Sequence, residues 1–443
     1  MAVVGRLEEN VGTRLNCWGH QRLSHQRITM IFPLALREYE KREIPRYGTE
    51  LAVGLFILML LVAPIPSTFA AEFTVDSEID AVDATPGDGQ CRTVAGECTL
   101  RAAVQETNAL AGPDQVNLPV GDYVLTIPPD GSDEDSSGDL NILGALAITG
   151  GGQTSTQVSC IVDHKAFDLS FGVTDGPIQF TDLTIEHCAG GIYNNWNDLV
   201  LLERVTLFNN TYTGMKISPG SKETIIRYST FSENSTAYEG GAIDHKGEKL
   251  IIESSTFSGN SNVLEVGRGG AIRVSGFMST LTIVNSTFSG NRSTNESGAI
   301  HAEIYSTINI RNCTFSDNSA RYASDDIGSY YDATVTISNS ILTGGCEGQI
   351  VSAGNNLDQT DGCDLGGPGD LVGVDPQLKP LAHNGGPTMT QMPGSDSPVI
   401  DAGNNTPVTE DFDQRGFGYT RIINGTVDIG AVEWGTIFRD GFE

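Results

Sequence analysis

One short phrase recurs through the middle of the chain and restricts its possible folds more than any other feature. STFSEN (229–234), STFSGN (255–260), STFSGN (286–291) and CTFSDN (313–318) set Phe231, Phe257, Phe288 and Phe315 at intervals of 26, 31 and 27 residues. Phe208 in TLFNN extends the series backwards by 23, and Leu342 in NSILTGG extends it forwards by 27. A second phrase alternates with the first: GGAI at 240–243 and 269–272, SGAI at 297–300, and degenerate copies GGI at 190–192 and TGMKI at 213–217. Short runs such as KLIIES and TLTIVN precede each FxxN, and their apolar and polar residues alternate with the period of a strand. In TLTIVN this sets Leu281 and Ile283 on one face, Thr282 and Val284 on the other. No stretch between 150 and 345 carries a 3.6-residue apolar stripe long enough for a helix.

Units of this length cannot each bury an apolar face, so they must stack. A parallel β-helix is the expectation, with one repeat per coil, neighbouring coils ~4.8 Å apart and roughly eight or nine coils at ~27 residues each. The period matches no propeller blade, and the LxxLxL skeleton of leucine-rich repeats is absent. In this architecture the Phe side chains stack inside, each contributing about 1.5–3 kcal/mol of apolar burial. Asn234, Asn260, Asn291 and Asn318 should form a ladder at a tight corner, where Asn tolerates left-handed backbone and its amide satisfies turn groups. The paired glycines should turn another corner.

Composition decides which partners are excluded. The chain of 443 residues has 26 Lys and Arg against 56 Asp and Glu, a net charge of −30, with 52 Gly and 39% hydrophobic residues. A surface this acidic repels phosphate backbones, so nucleic acid is not a partner. Leu51 to Ala63 is an apolar run of 13 residues, shorter than the ~20 of a membrane span. Arg37, Lys41, Arg42 and Arg46 precede it and PIPSTFA follows, so it reads as a secretory signal peptide cleaved after Ala70. A short uncleaved anchor is the competing reading, and translation from a later methionine such as Met30 fits the depth of the segment. With 8 of the basic and 6 of the acidic residues upstream of Ala71, the remainder carries 18 against 50, a net −32.

Export permits disulfides. The exported part holds Cys91, Cys98, Cys160, Cys188, Cys313, Cys346 and Cys363, an odd number that leaves one unpaired or intermolecular. Cys91–Cys98 and Cys346–Cys363 are expected as local pairs in glycine-rich loops, with Cys160–Cys188 as a third. No CxxC occurs and no His stands at ligand spacing from a Cys, so no zinc site is implied.

These motifs resemble known families. The GGAI and FxxN pair resembles the repeats of chlamydial polymorphic outer-membrane proteins and of pectin-lyase-like right-handed β-helices. Residues 73–109 resemble the CSLREB segment that opens bacterial secreted β-helix proteins, with Cys98-Thr99-Leu100-Arg101 as its hallmark. Residues 375–404, DQRG (413–416) and VDIGAVEW (427–434) are similar to the choice-of-anchor Q domain. IFRDGFE is similar to short endings of other exported bacterial proteins. The resemblance implies a right-handed helix, as does the general hand of parallel crossovers. It implies no settled catalytic residue.

The fold expected is therefore all-β, a right-handed parallel β-helix with a short N-terminal capping helix and an irregular C-terminal cap. Its parts run 1–70 (extension and signal peptide), 71–112 (N-terminal cap), 113–345 (repeats), 346–434 (last coils and C-terminal domain) and 435–443 (tail). Leu100, Ala103, Val104 and Thr107 recur at helical spacing, which reads as an amphipathic helix closing the open end of the solenoid. Residues 375–434, rich in Pro, Gly and Asp, should cover the last coil. The acidic stretch PPDGSDEDSSGD (128–139) reads as a solvated loop, with calcium as the one metal it could take. No cofactor is implied.

If GAI ends at a corner, the residues after it form matched columns on adjacent coils. Strand alternation then sets Asp244, Lys246, Arg273, His301 and Glu303 on one face, opposite Ile243, Ile272 and Ile300. Such a patch could bind a sugar or perform acid–base chemistry. Polysaccharide lyases of the resembled fold use residues of this kind to neutralise a uronate and abstract its C5 proton. The polygalacturonase-type pattern NTD, DD, GHG and RIK is missing, Asp325-Asp326 being a weak echo, and the net charge opposes capture of acidic polysaccharides. Tyr193, Trp196, Tyr212, Tyr238, Tyr322, Tyr330 and Tyr331 stand in loops after the corners, where exposed aromatics suit glycan stacking or protein adhesion. The expectation is a secreted or cell-surface protein that binds extracellular glycans or surface proteins, touching membrane only through export or anchoring. A polysaccharide lyase or glycoside hydrolase centred on Asp244, Arg273 and His301 is the alternative, a structural envelope component the third. Oligomeric state is left open.

Overall fold

The alternating runs bury every second residue, so each can cover its neighbour only by lying beside it in register, and this is the arrangement found. The computed structural model describes residues 71–129, 136–161, 164–169 and 176–435. The expected signal peptide, half of the acidic loop (130–135) and nearly all of the tail lie outside them. Within each complete coil the chain passes through three main strand layers, central coils add a two-residue strand such as Ser235–Thr236 between the second and third, and neighbouring coils pair in parallel. The fold is a right-handed parallel β-helix, and the described residues are mostly strands with one short helix.

The first layer holds the alternating runs, for example Lys249–Glu253 beside Thr280–Val284 beside Thr307–Arg311. The second holds the Thr-Phe-Ser strands, and the third, nine strands among the described residues, includes those of the GAI phrase. The first two layers meet at a bend that Tyr228, Ser254, Asn285 and Asn312 make with left-handed backbone, φ 48° to 53°.

The aromatic stack is continuous. Phe231, Phe257, Phe288 and Phe315 are fully buried, their ring centroids 4.9, 4.7 and 4.8 Å apart and their planes within 12° of parallel. Leu342 continues the column, but Phe208 does not belong to it. Leu207 is in register with Phe231, whereas Phe208 aligns with Ser232, points outward and meets His187 edge-on. The asparagine ladder is also present: Asn210 donates to Asn234, Asn234 to Asn260, Asn260 to Asn291 and Asn291 to Asn318, at 2.9 to 3.0 Å. Its left-handed residue is the one before each Asn, namely Asn209, Glu233, Gly259, Gly290 and Asp317. Asn is therefore selected for its amide, which bridges coils, and its neighbour takes the strained backbone. At the next corner the coils approach so closely that a Cβ at Gly241 would stand 2.4 Å from the Gly270 carbonyl oxygen, and one at Gly270 2.2 Å from that of Gly298.

Cys91–Cys98, Cys160–Cys188 and Cys346–Cys363 are bonded, a set that suits an extracellular protein. Cys313 is the odd one and is buried, which rules out intermolecular pairing in the native fold. Among the described residues no helix is long and apolar enough to cross a membrane.

Both ends depart from expectation. Helix α1 (Leu100–Ala109) is not amphipathic in use, because residues 100 to 107 are buried on every side. Segment 76–98 closes over it, so its polar groups are answered inside: Arg101 pairs with Asp80 at 2.6 Å, and Glu106 accepts from the amides of Gly87 and Gly89. Thr99 caps the helix by accepting from Ala102. At the other end, Val399 and Ile429 pack on Ile341 and Leu357, covering the last coils. The same C-terminal segment also turns back along the outer side of the second layer. Gln414 donates to Thr256 Oγ1 at 2.8 Å and accepts from Thr287 Oγ1 at 2.6 Å, Ala431 donates to Thr314 Oγ1, and Ser316 donates to Gln391. It is a lateral brace as well as a cap.

Candidate functional site

The third layer places a column of unlike side chains on its outer face. Ile192, Met215, Ile243, Ile272, Ile300 and Ile327 are in register and point inward. The residue after each points out, as does Asp168 after Phe167 on the preceding coil, so Asp168, Tyr193, Lys216, Asp244, Arg273, His301 and Gly328 follow one another on successive coils. His245 is the next inward position. It is fully buried, faces the Thr280 carbonyl at 3.2 Å, and burial pushes it down to about 4.

The expected group of Asp244, Lys246, Arg273, His301 and Glu303 is thus brought together, but not as an open patch. Asp244, His301 and Glu303 are buried, and Lys246 and Arg273 are partly covered. Lys246 pairs with Asp244 at 2.6 Å and with Glu239 at 3.2 Å, and Glu239 also takes Lys216. Arg273 meets Glu303 through both Nε and Nη2, at 2.9 and 2.5 Å, and Arg268 bridges Glu303 and Glu296. The His301 ring stacks on Tyr330 at 4.6 Å, its Nδ1 lies 3.2 Å from Ser297 Oγ, and Tyr330 donates to Glu347.

The electrostatics follow from this crowding. Burial, then Glu239, pushes the Asp244 carboxyl up to about 6 against the pull of Lys246. Burial, then Arg268 and Arg273, pushes His301 down to about 3, so the imidazole is neutral. Burial raises Glu239, but Lys246 and Lys216 outweigh it and hold the group below the usual range. Asp244 Oδ1 and His301 Nε2 are buried without a hydrogen-bond partner. These are the groups with unused capacity at the centre of the column.

The aromatic residues sort into two rims rather than one strip. Tyr212, Tyr238 and Tyr322 stand in the loops that lead into the third layer, beside exposed Val263 and Val266. Trp196 and Tyr331 stand in the loops that leave it, together with Phe277, Met278, Ile304 and Tyr305. Phe277 and Tyr305 meet edge-on at 5.9 Å. Tyr193 is no loop residue. It lies in the strand Gly190–Asn194, with the ammonium groups of Lys165 and Lys216 at 5.2 and 5.8 Å from its ring. Tyr330 is half-covered in the column.

Lys216, Lys165, Glu239 and Arg268, and the rim formed by Phe277, Met278 and Tyr305, go beyond the sequence reading. Lys216 and Tyr193 were within reach, since TGMKI and GGI are copies of the GAI phrase and fix the register of the residue that follows. Among the described residues no three His, Cys, Asp or Glu side chains converge as metal ligands. Most carboxylates of the acidic loop fall outside the described residues, and Asp139, which does not, is engaged by Lys165 at 3.1 Å. Two clefts of about 490 and 400 Å³ lie elsewhere, the first between the second layer and the C-terminal segment, the second between that segment and the bend that joins the first two layers.

Residues 144–288 match the model of the right handed beta helix region. No curated protein matches the sequence. Solved structures similar in shape include pectate lyase Pel9A, with TM-score 0.42 and 13% identity over 83% of this chain and 98% of that one. They also include a rhamnogalacturonan lyase, with TM-score 0.40 and 10% identity over 74% and 96%. At these values the likeness carries no argument.

Proposed function

We propose that the outer face of the third layer binds a glycan chain laid along the helix axis, in a secreted or cell-surface protein. The observation that carries this reading is the arrangement of that face. A floor of polar and charged side chains, changing from each coil to the next, runs between two rims of exposed aromatic and apolar side chains. Sugars present hydroxyl edges and apolar ring faces, so a polar floor flanked by Tyr, Trp and Phe matches both. The coil spacing of ~4.8 Å is comparable to the length of one pyranose unit, so successive sugars would meet successive coils. Adhesion to a surface glycoprotein is a use of the same face.

Catalysis is the second reading, and a specific observation favours it. Asp244 has a carboxyl held at about 6 and a buried oxygen without a partner, and Arg273 and His301 follow it in register. A carboxyl poised near neutrality is suited to proton transfer. One experiment separates the two readings: a panel of plant, algal and bacterial polysaccharides, with and without calcium, followed for unsaturated uronate ends, new reducing ends and binding. Binding without product supports the first reading. Product formation abolished by Asp244→Asn or Arg273→Ala moves the protein to the second. Neither binding nor product leaves a structural envelope component.

A further inference from the structure

Resting on the glycan-binding reading, we infer that the chain recognised is uncharged, a neutral or N-acetylated polysaccharide rather than a polyuronate. The argument begins with the cations of the floor. A uronate needs a positive group that is free to meet it, because moving a carboxylate from water onto a protein is unfavourable without one. Here each floor cation is already answered by the protein's own carboxylates: Lys165 by Asp139 and Asp168, Lys216 by Glu239, and Lys246 by Glu239 and Asp244. Arg268 is answered by Glu296 and Glu303, and Arg273 by Glu303.

Acids outnumber cations within these clusters. Five cations face six carboxylates, and Glu347 stands beyond them at Tyr330. An arriving uronate would have to displace an internal partner, leaving that carboxylate unpaired. Glu303 is 3% exposed, so on its coil the vacated partner would be stranded in a buried site. The surroundings add to this, since the residues after Ala70 carry a net −32 and repel polyanions at distance. What the floor offers instead is paired charge and matched polar groups, Ser218 donating to Asn195 and the Asn195 amide to Asp168, while the rims offer ring faces. That combination selects hydroxyl-rich, uncharged rings. In the rim leaving the layer, Phe277 is 72% exposed and Tyr305 54%, so their faces are open to a sugar.

The test compares binding of the purified protein to galactomannan, mixed-linkage β-glucan and chitin oligosaccharides with binding to polygalacturonate and alginate. Each is measured at low and at high salt, with and without calcium. Binding to an uncharged chain that changes less than about twofold between the two salt levels is expected, because screening acts on charge pairs. The variant Phe277→Ala/Tyr305→Ala, whose side chains lie outside the core and whose fold is checked by circular dichroism, should bind about tenfold more weakly. Binding confined to polyuronates, falling with salt or requiring calcium, would overturn the inference and leave the glycan-binding reading standing. Neutral-chain binding untouched by the double variant would overturn the placement between the rims. A folded protein that binds no member of either set would refute both.

Discussion

Two outer faces of the same coil meet opposite fates. On the second layer the outward residues repeat from coil to coil: Thr256 and Ser258, Thr287 and Ser289, Thr314 and Ser316. They are small, they carry hydroxyls, and the C-terminal segment lies against them through Gln414, Gln391 and Ala431. On the third layer no two neighbouring outward residues are alike, running Asp168, Tyr193, Lys216, Asp244, Arg273, His301 and Gly328. Among the described residues, no hydrogen bond from the C-terminal segment reaches that column. A side chain required by every coil is a packing element, since each coil poses the same steric problem. A side chain that differs on every coil answers to something outside the coil. The repetition of one face and the irregularity of the other therefore divide scaffold from candidate site within a single turn of chain.

The sharpest way to break this comparison is to strike what repeats. Phe288 is fully buried between Phe257 and Phe315, so Phe288→Ala should cost about 3–5 kcal/mol of unfolding free energy. Chemical denaturation measures it, and a loss under 1 kcal/mol would mean that the coils do not depend on the stack. Next comes the covered face. Gln414→Ala removes the amide that joins Thr256, Thr287 and Thr388, and should cost about 1–3 kcal/mol. It should also expose the C-terminal segment to limited proteolysis ahead of the coils. Cleavage spread evenly over the chain would contradict the description of that segment as a separately docked brace.

Legibility in the sequence follows the same division. The Phe column, the Ile column and the Asn ladder recur at visible intervals, and a recurring residue reveals its register. The exception is instructive: TLFNN holds both Leu207 and Phe208, and matching Phe to Phe slips the register by one. The spacing to the ladder would have corrected it, because Leu207 stands three residues before Asn210 just as Phe231 stands three before Asn234. The C-terminal brace has no period and was read only as a cap, though the outward Thr and Ser of each TFS strand were its docking surface. For the site, alternation sets Asp244, Arg273 and His301 in one column, but nothing in one sequence shows that Glu239 reaches over from a loop to share Lys246 with Asp244, or that Asp244 is buried.

That burial yields a prediction of smaller size. Asp244 has its carboxyl raised from an ordinary 3.8 to about 6, so the fold favours its protonated form. Below the ordinary value both states are protonated and there is no penalty. As pH rises towards 6 the unfolded chain ionises first, and the native state loses stability relative to it. Asp244→Asn should remove this contribution, so the stability difference between variant and wild type should grow in the variant's favour from pH 4 to pH 6.5. Urea midpoints at the two pH values measure it. A difference that stays constant, or that moves the other way, would mean that the ion pair with Lys246 outweighs burial.

The smallest effect belongs to a residue that breaks the repeat without leaving it. Ser229, Ser255, Ser286 and Ser340 occupy one inner position at the start of the second layer, and Cys313 fills the same position on its own coil. Each Ser accepts from the amide of the coil before it, as Ser229 donates to Ser255 and Ser255 to Ser286, both at 3.1 Å. Each Ser hydroxyl then donates to the carbonyl two residues back, and the Cys313 thiol does the same towards Arg311. Cys313 is thus a serine site occupied by sulfur, with its thiol pushed by burial up to about 12 and closed to solvent. Cys313→Ser should change the unfolding free energy by no more than ~0.5 kcal/mol, and the native wild-type thiol should resist alkylation until the protein is unfolded. If the serine variant were strongly destabilised, or if Cys313 reacted in the native state, this coil would differ from its neighbours, and the rule that repetition marks scaffold would fail at the position where it is easiest to test.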